Sequence, residues 1–555
     1  MAVVLSRLFG LVREQVFAYF FGAGLVQDAY LTAFRIPNLF RDLFAEGALS
    51  QSFVAVFAQK SGKNDEEAYR LANKVFTFIL CLVGLLTILG IVFSPQIVAT
   101  LAPGFTGEKQ ALTVTLNRIL FPFILFASLA ALFMGMLNAK HKFFLPQSAS
   151  TFFNITSITV GVTFAYLLAP EYIGSLLKKL IYPGEAVIID AGMERAIIGM
   201  SFGTLVGGLV QWLIQMPTLG QMGFKLRLDF GMRHPDLIKV LKLTLPAIIG
   251  GAAVQINVLV NQNFASGLGD GAISYLGYAF RLMQLPLGIF GVAIATASAP
   301  TLVRMISDNR HADFKTTLQS SLKMSLFLSL PSTVGLMVLA EPIVSLIFEH
   351  GKFGALDALG TIFALEGYAL GIVAYSLIKI YQPAFLAWHD SKTPMIISLT
   401  SILSNFVLNF AMLRVLTSPE IRAAVVDFVG PGYSILLEIF EYPHFALAFG
   451  TALVATLNFT LLALSFRKKV PGIWEKNQIL ETLKILMASL VMGVLAWALM
   501  AALRPYLGGN GLFKKLLLTG IPILTAAPAY FLICAVLRVE DAEIFLKALR
   551  RRLKK

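Results

Sequence analysis

The sequence predicts an all-α polytopic membrane protein with about 14 transmembrane helices, arranged as two pseudo-repeated six-helix lobes plus two C-terminal helices. Three observations lead there. The 555 residues are 57% hydrophobic and only 14% charged, with a mean hydropathy of +0.76, whereas soluble domains hold roughly 45–50% apolar and about 25% charged residues. Apolar runs of about 20 residues recur along the chain, each long enough at 1.5 Å per residue to cross about 30 Å of hydrocarbon. The basic residues lie in short clusters between these runs, which is the distribution that sets topology in a membrane.

The first run, near 2–22, is broken by Arg7, Arg13 and Glu14 and lacks a polar leader followed by a small-residue cleavage site. It reads as a retained helix, not a signal peptide. The second, near 27–58, contains Pro37, whose missing donor predicts a kink. Further runs follow near 73–97, 116–138, 146–168 and 196–217, completing a first lobe over 1–225. The segment FKLRLDFGMRHPDLIKVLK is basic and polar enough to lie in the interface before the seventh span. A second lobe over 226–470 holds the runs near 239–263, 272–300, 320–340, 358–385, 394–415 and 443–466. The last two runs, near 482–503 and 516–537, form a region 471–540, and a basic tail closes the chain at 541–555.

With the N-terminus inside, the loops KSGKNDEEAYR, NAKHKFF, FKLRLDFGMRH, RMISDNRHADFK, FRKKVPGIWEKN and the tail all fall on the inner side, and they carry most of the loop Lys and Arg. Both termini are therefore expected in the cytoplasm. The net charge of +14 is spent on this asymmetry rather than on one basic face, so nucleic acid is not an expected partner. Cys81 and Cys534 fall in apolar runs, where they act as small hydrophobes, and neither a disulfide nor a metal site is inferred from them.

The chain also repeats itself. GAGLVQDAYLTAFR, ending at Arg35, resembles SGLGDGAISYLGYAFR, ending at Arg281, and LNAKHKFFLP, ending at Pro146, resembles LAWHDSKTP, ending at Pro394. The offsets of 246 and 248 residues nearly agree. A unit of six spans is even, so the two copies enter from the same side and form a parallel repeat about the membrane normal.

Charges within spans are costly, about 2.5–3.5 kcal/mol each at the bilayer centre on insertion scales, and so mark candidate function. They concentrate in the first two spans. SRLFGLVRE places Gly10 three residues from both Arg7 and Arg13, leaving room beside two cations on one helix. The second span carries Asp28, Arg35, Arg41, Asp42 and Glu46; Asp28, Arg35 and Asp42 recur every seven residues and are expected to neutralise one another in part. Arg281 occupies the matching place in the second half, and Lys379 is a further cation within a span. Arginine suits a phosphate group because its planar fork donates parallel hydrogen bonds and keeps its charge when desolvated. An anionic substrate is the expectation, with ion pairing or snorkelling as the competing reading for any single arginine. His141 and His389 lie beside lysines in corresponding loops, where they read as topology determinants. No phosphate-loop, zinc-ligand or nucleophile–base pattern stands out, so an enzyme is not expected.

The stretch SRLFGLVREQVFAYFFGAGLVQDAYLTAFRIPNLFRDLFAEGALSQSFVAVF resembles the N-terminal signature of the MurJ/MviN family of the MOP exporter superfamily, and YAFRLMQLPLGIFGVAIATASAP and IKIYQPAFLAWHDSKTP extend the likeness. The resemblance implies lipid II as cargo, alternating access through a cationic cavity between two lobes, and a groove for the polyprenyl tail at the last two helices. By motif it implies substrate or transport roles for Arg7, Arg13, Asp28, Arg41 and Arg281, with Arg35, Glu46 and Lys379 in support. Relatives often carry an acidic residue where Phe280 stands here. No cofactor or metal is expected; the sequence does not fix the energy source, coupling to the membrane potential or to a monovalent cation being open, and Asn405 and Asn409, rather than carboxylates, are the polar residues of the eleventh span. Expected partners are lipid II, membrane lipids and cell-wall synthesis proteins. The alternative readings are an exporter of another polyprenyl-pyrophosphate-linked glycan and a non-transporting membrane scaffold.

Overall fold

The fold is known from a computed structural model, which describes residues 2–41, 49–182, 190–231, 233–429, 434–509 and 511–542. The contacts divide the chain into two compact units, one of residues 1–274 with 350–354, the other of residues 275–349 with 355–555.

The first unit contains α1 (Ala2–Phe21), α2 (Leu25–Phe40), α3 (Leu49–Ser61), α4 (Asp65–Val92), α5 (Ser94–Leu101), α6 (Gly107–Leu120), α7 (Phe123–Ala139), α8 (Phe144–Leu168), α9 (Pro170–Ile181), α10 (Met193–Leu213), α11 (Met216–Gln221) and α12 (Pro235–Ser266). Its tightest packing joins α8 to α10. Gly199, Gly203 and Gly207 recur every four residues and so share one face of α10. A methyl group on Gly203 would sit 2.3 Å from the Cα of Gly161, and one on Gly199 would sit 2.4 Å from the backbone nitrogen of Ala165. The helices therefore touch backbone to backbone, and Ser157 and Thr204 bond across the seam at 3.2 Å. Elsewhere the core is aromatic and aliphatic: Phe53, Phe57, Phe76, Phe133 and Leu137 pack beneath α4 and α7, and Phe17, Phe21, Tyr30 and Tyr172 pack beneath α1 and α2. The basic segment after α11, expected at the membrane interface, is an extended strap tied to α4. Asn73 donates to the Lys225 carbonyl and accepts from the Arg227 N–H, Thr77 accepts from the Asp229 N–H, and Lys74 pairs with Asp229 at 2.6 Å.

The second unit contains α13 (Ala272–Pro286), whose first residues fall in the first unit, then a π-helical turn (Leu287–Gly291), α14 (Val292–Ser307), α15 (His311–Val338), α16 (Ala340–Ile347), α17 (Ala355–Ala369), α18 (Ile372–Ala387), α19 (Lys392–Leu416), α20 (Pro419–Val429), α21 (Ser434–Glu441), α22 (Phe445–Arg467), α23 (Lys476–Leu507) and α24 (Leu512–Val536). One core holds Leu302, Phe314, Leu377, Tyr381, Phe385 and Phe466; another holds Phe327, Ile485, Ala488, Tyr530 and Cys534. Gly450 of α22 leaves space for the Asn409 side chain of α19, whose Oδ1 would lie 2.4 Å from a methyl there. Asn409 donates to Asn405 at 3.3 Å within that buried seam.

Among the described residues, ten helices are long and apolar enough to cross a membrane, and α17 with α18, bent by 43° at the break between them, are so when taken together as one element. These coincide with eleven of the expected runs. The other three runs fall on α1, on α2 with α3, and on α12. α1 carries three charges, Arg7, Arg13 and Glu14, within its 20 residues, and α2, which runs helical through Pro37, is 16 residues long. α12, which the sequence reading assigns to the second lobe, packs against α3, α4 and α5 in the first unit. Most of the expected basic tail, residues 543–555, lies outside the described residues.

The repeat has a conformational counterpart. α7 and α18 both end with a histidine in the left-handed region, His141 at φ 58° and His389 at φ 54°. In each case the following residue donates back to a helix carbonyl, Lys142 to Leu137 at 2.9 Å and Asp390 to Phe385 at 3.0 Å. This closes the helix in the usual glycine-type cap with a residue that is not glycine. The two histidines are 248 residues apart, the same offset as the second pair of repeated motifs.

Candidate substrate site

In the first unit, α1 presents its two arginines in different surroundings. Arg7 is exposed. Two turns on, Arg13 is buried, pairs with Glu14 at 2.9 Å, and lies over the Phe153 ring of α8 at 5.3 Å. A buried guanidinium must be balanced by an opposite charge or an aromatic face, and Arg13 has both. Gly10, between them, leaves 3.7 Å between a would-be methyl and the Asn154 side chain, so the helix surface there stays shallow.

Asp28 opens α2 and is fully buried. Its carboxylate accepts from Lys109 of α6 at 2.9 Å, from the Gly271 N–H at 2.8 Å, and from the N–H and hydroxyl of Ser274 at 2.9 and 2.6 Å. It thereby caps the first turn of α13. Lys109 also reaches Asp270 at 2.8 Å and lies 4.1 Å from the centre of the Phe105 ring. The expected partial neutralisation of Asp28 by Arg35 on the seven-residue stripe is replaced by this pairing with Lys109. Ion pairing follows distance in space, and Lys109 lies 81 residues away along the chain.

Farther along α2, Thr32 accepts from Gln262 of α12 at 2.7 Å, and the Ala33 carbonyl accepts from Asn117 of α6 at 3.1 Å. Arg35 and Arg41 are half-buried, and Arg41 caps the helix just beyond Pro37, with its N–H directed to the Pro37 and Asn38 carbonyls. Asp42 and Glu46 lie outside the described residues.

In the second unit, Arg281 is exposed on α13, one turn before Pro286 and the π-helical turn. Gly291, which ends that turn, lets α18 approach so closely that a methyl there would lie 2.9 Å from the Ser376 hydroxyl. Lys379, one helical turn beyond Ser376, is exposed. Phe280 is set edge-on to Tyr368 with ring centres 5.5 Å apart. Arg13 and Lys109 are thus buried against opposite charge, whereas Arg7, Arg281 and Lys379 are exposed on their helices. Sequence reasoning missed Lys109: it sits among the polar residues that open α6, with no local signal of its distant partner.

A sequence model of the family described as "Lipid II flippase MurJ" matches residues 17–517. A probable lipid II flippase MurJ of Buchnera aphidicola subsp. Acyrthosiphon pisum is 31% identical over 501 residues, covering 90% of this chain and 88% of that protein. One from Rhizobium tropici is 32% identical over 554 residues, covering 99% and 94%. Among solved structures, a lipid II flippase MurJ in an inward closed conformation is similar with a TM-score of 0.72 and 26% identity, covering 97% of each chain. An inward-facing multidrug resistance MATE family transporter of the MOP superfamily shares the fold, with a TM-score of 0.59 at 16% identity over 84% of this chain and 96% of that one.

Proposed function

Because this chain belongs to the lipid II flippase MurJ family, we propose that it moves lipid II from the inner to the outer leaflet of the bacterial inner membrane, in which it is a multi-pass protein with both termini in the cytoplasm. The observation that carries the site assignment is the set of guanidinium groups held within membrane helices, with Arg7 and Arg281 exposed on theirs. A pyrophosphate is the cargo group such forks fit. Each can offer two parallel N–H donors to adjacent oxygens, and none loses its charge on desolvation. In this reading Arg7, Arg41 and Arg281 bind the headgroup, with Arg35 and Lys379 adding positive potential. Arg13 acts through α1, because its charge is already met by Glu14 and Phe153. Asp28 serves transport by fixing the start of α13 rather than by touching cargo. Two lobes that rock about the bound headgroup give alternating access.

The test is outward exposure of lipid II in cells depleted of their own flippase, with the parent chain and Arg41→Ala expressed at equal membrane levels. Restored exposure by the parent and loss in the variant is the expected result. Full activity of Arg41→Ala would remove that residue from the clamp. Failure of both, with each present in the membrane, would overturn lipid II as cargo and direct the search to another polyprenyl-pyrophosphate-linked glycan.

A further inference from the structure

At the end of α24 the chain turns back. Arg538 adopts φ 54°, and the Val539 N–H donates to the Cys534 carbonyl at 2.9 Å. Val539 and Ala542 then bury themselves in the core made by Phe327, Ile485 and Ala488 of α15 and α23. This carries Asp541 inside with them, only 2% exposed.

Among the described residues, the charges around Asp541 do not balance. Three carboxylates, Glu481 of α23 and Glu540 and Asp541 of the returning segment, face two lysines. Lys323 of α15 is paired with Glu540, and Lys484 of α23 is paired with Glu481 at 2.7 Å. Asp541 is left over. One oxygen of its carboxylate and one of Glu481 are buried without a hydrogen-bond partner among the described residues. Among the described residues the remaining titratable group that faces it is Tyr530 of α24, which supplies no positive charge. A buried carboxylate in that position is costly when ionised and cheap when it carries a proton.

We propose that Asp541 is a proton-binding site whose occupancy holds the segment Val539–Ala542 docked against α15 and α23. The proton comes from the aqueous phase at the end of the helices that carries the C-terminus. Its loss places an uncompensated negative charge beside the Glu481 carboxylate and loosens the segment.

Burial, with the neighbouring charges of Glu540 and Glu481 opposing the pull of Lys323, holds the Asp541 carboxyl at about 6 rather than its ordinary 3.8. A raised carboxyl favours docking while protonated, so docking is strongest below the ordinary value and is lost as pH rises through about 6.

The experiment is amide hydrogen exchange of residues 537–542 in the full chain reconstituted in nanodiscs, at pH 5.5 and 7.5 after correction for intrinsic rates. The parent should be protected about fourfold more at the lower pH, the linkage expected for a group moved from 3.8 to about 6. Asp541→Asn should be protected equally at both. Glu481→Gln, which removes the neighbouring charge but leaves Asp541, should shift the transition to lower pH. A parent whose protection does not change with pH, or a pH dependence that survives in Asp541→Asn, would overturn the proposal.

Discussion

Replacing Lys109 with Met should unfasten the first turn of α13. In the parent, Asp28 is fully buried and receives four donors, of which Lys109 alone is charged. Removing the lysine leaves a buried carboxylate with three neutral donors. Breaking a buried pair from one side costs about 3–5 kcal/mol, and the surviving hydrogen bonds place this case at the lower end. The second contact of Lys109, with Asp270, adds little, because that carboxylate is 59% exposed and screened by water. A loss of about 3 kcal/mol corresponds to roughly 150-fold easier local opening. Amide exchange reads this directly, because the Gly271 and Ser274 N–H groups are themselves donors to Asp28. Lys109→Met should accelerate exchange at those two amides by about that factor, and the double variant with Asp28→Asn should recover much of the loss, since it removes the orphaned charge. Unchanged exchange in Lys109→Met, or additive effects in the double variant, would refute the view that this pair holds α13.

Gly203→Ala puts a methyl 2.3 Å from the Gly161 backbone and should destabilise the α8–α10 seam by about 1–3 kcal/mol, seen as a lower midpoint in thermal unfolding in detergent. Arg281→Lys keeps the charge but loses the planar fork, so lipid II exposure should fall roughly tenfold, the cost of about one charge-assisted hydrogen bond, with membrane level unchanged. Asp390, which accepts from the backbone and side chain of Thr393 and pairs with Lys469 at 3.0 Å, has its carboxyl held down to about 2 by those bonds. Its contribution is complete above the ordinary carboxylate value and disappears as pH falls from about 4 to about 2, a loss that Asp390→Asn should abolish in acid titrations of stability. His389→Gly should raise stability by up to about 1 kcal/mol in chemical denaturation, because the left-handed cap at φ 54° suits a residue without a side chain.

Among the described residues, ten of the expected spans appear as helices long and apolar enough to cross and an eleventh as the bent pair α17 and α18, because hydropathy over about 20 residues is a local property that folding does not rewrite. The repeat was readable for a similar reason. The same short motif produces the same helix cap at His141 and at His389, whatever surrounds it. The close approach of α8 and α10 was written in Gly199, Gly203 and Gly207, but their spacing alone named no partner.

What the sequence by itself determined is the class of protein, the places of most spans, the doubled motif and the presence of cations where cations are costly. Tertiary structure alone decided what each charge meets. Asp28 answers to Lys109 and to the start of α13 and not to Arg35 one stripe along; Arg13 is neutralised by Glu14 and Phe153, while Arg7 on the same helix is exposed; and Asp541, inconspicuous in a basic tail, is buried beside Glu481. The physical reason is range. Helix formation and membrane insertion are settled by neighbours within about one turn or one span, whereas the energy of a buried charge depends on whichever group the fold brings within a few ångströms, however far away it lies in the chain.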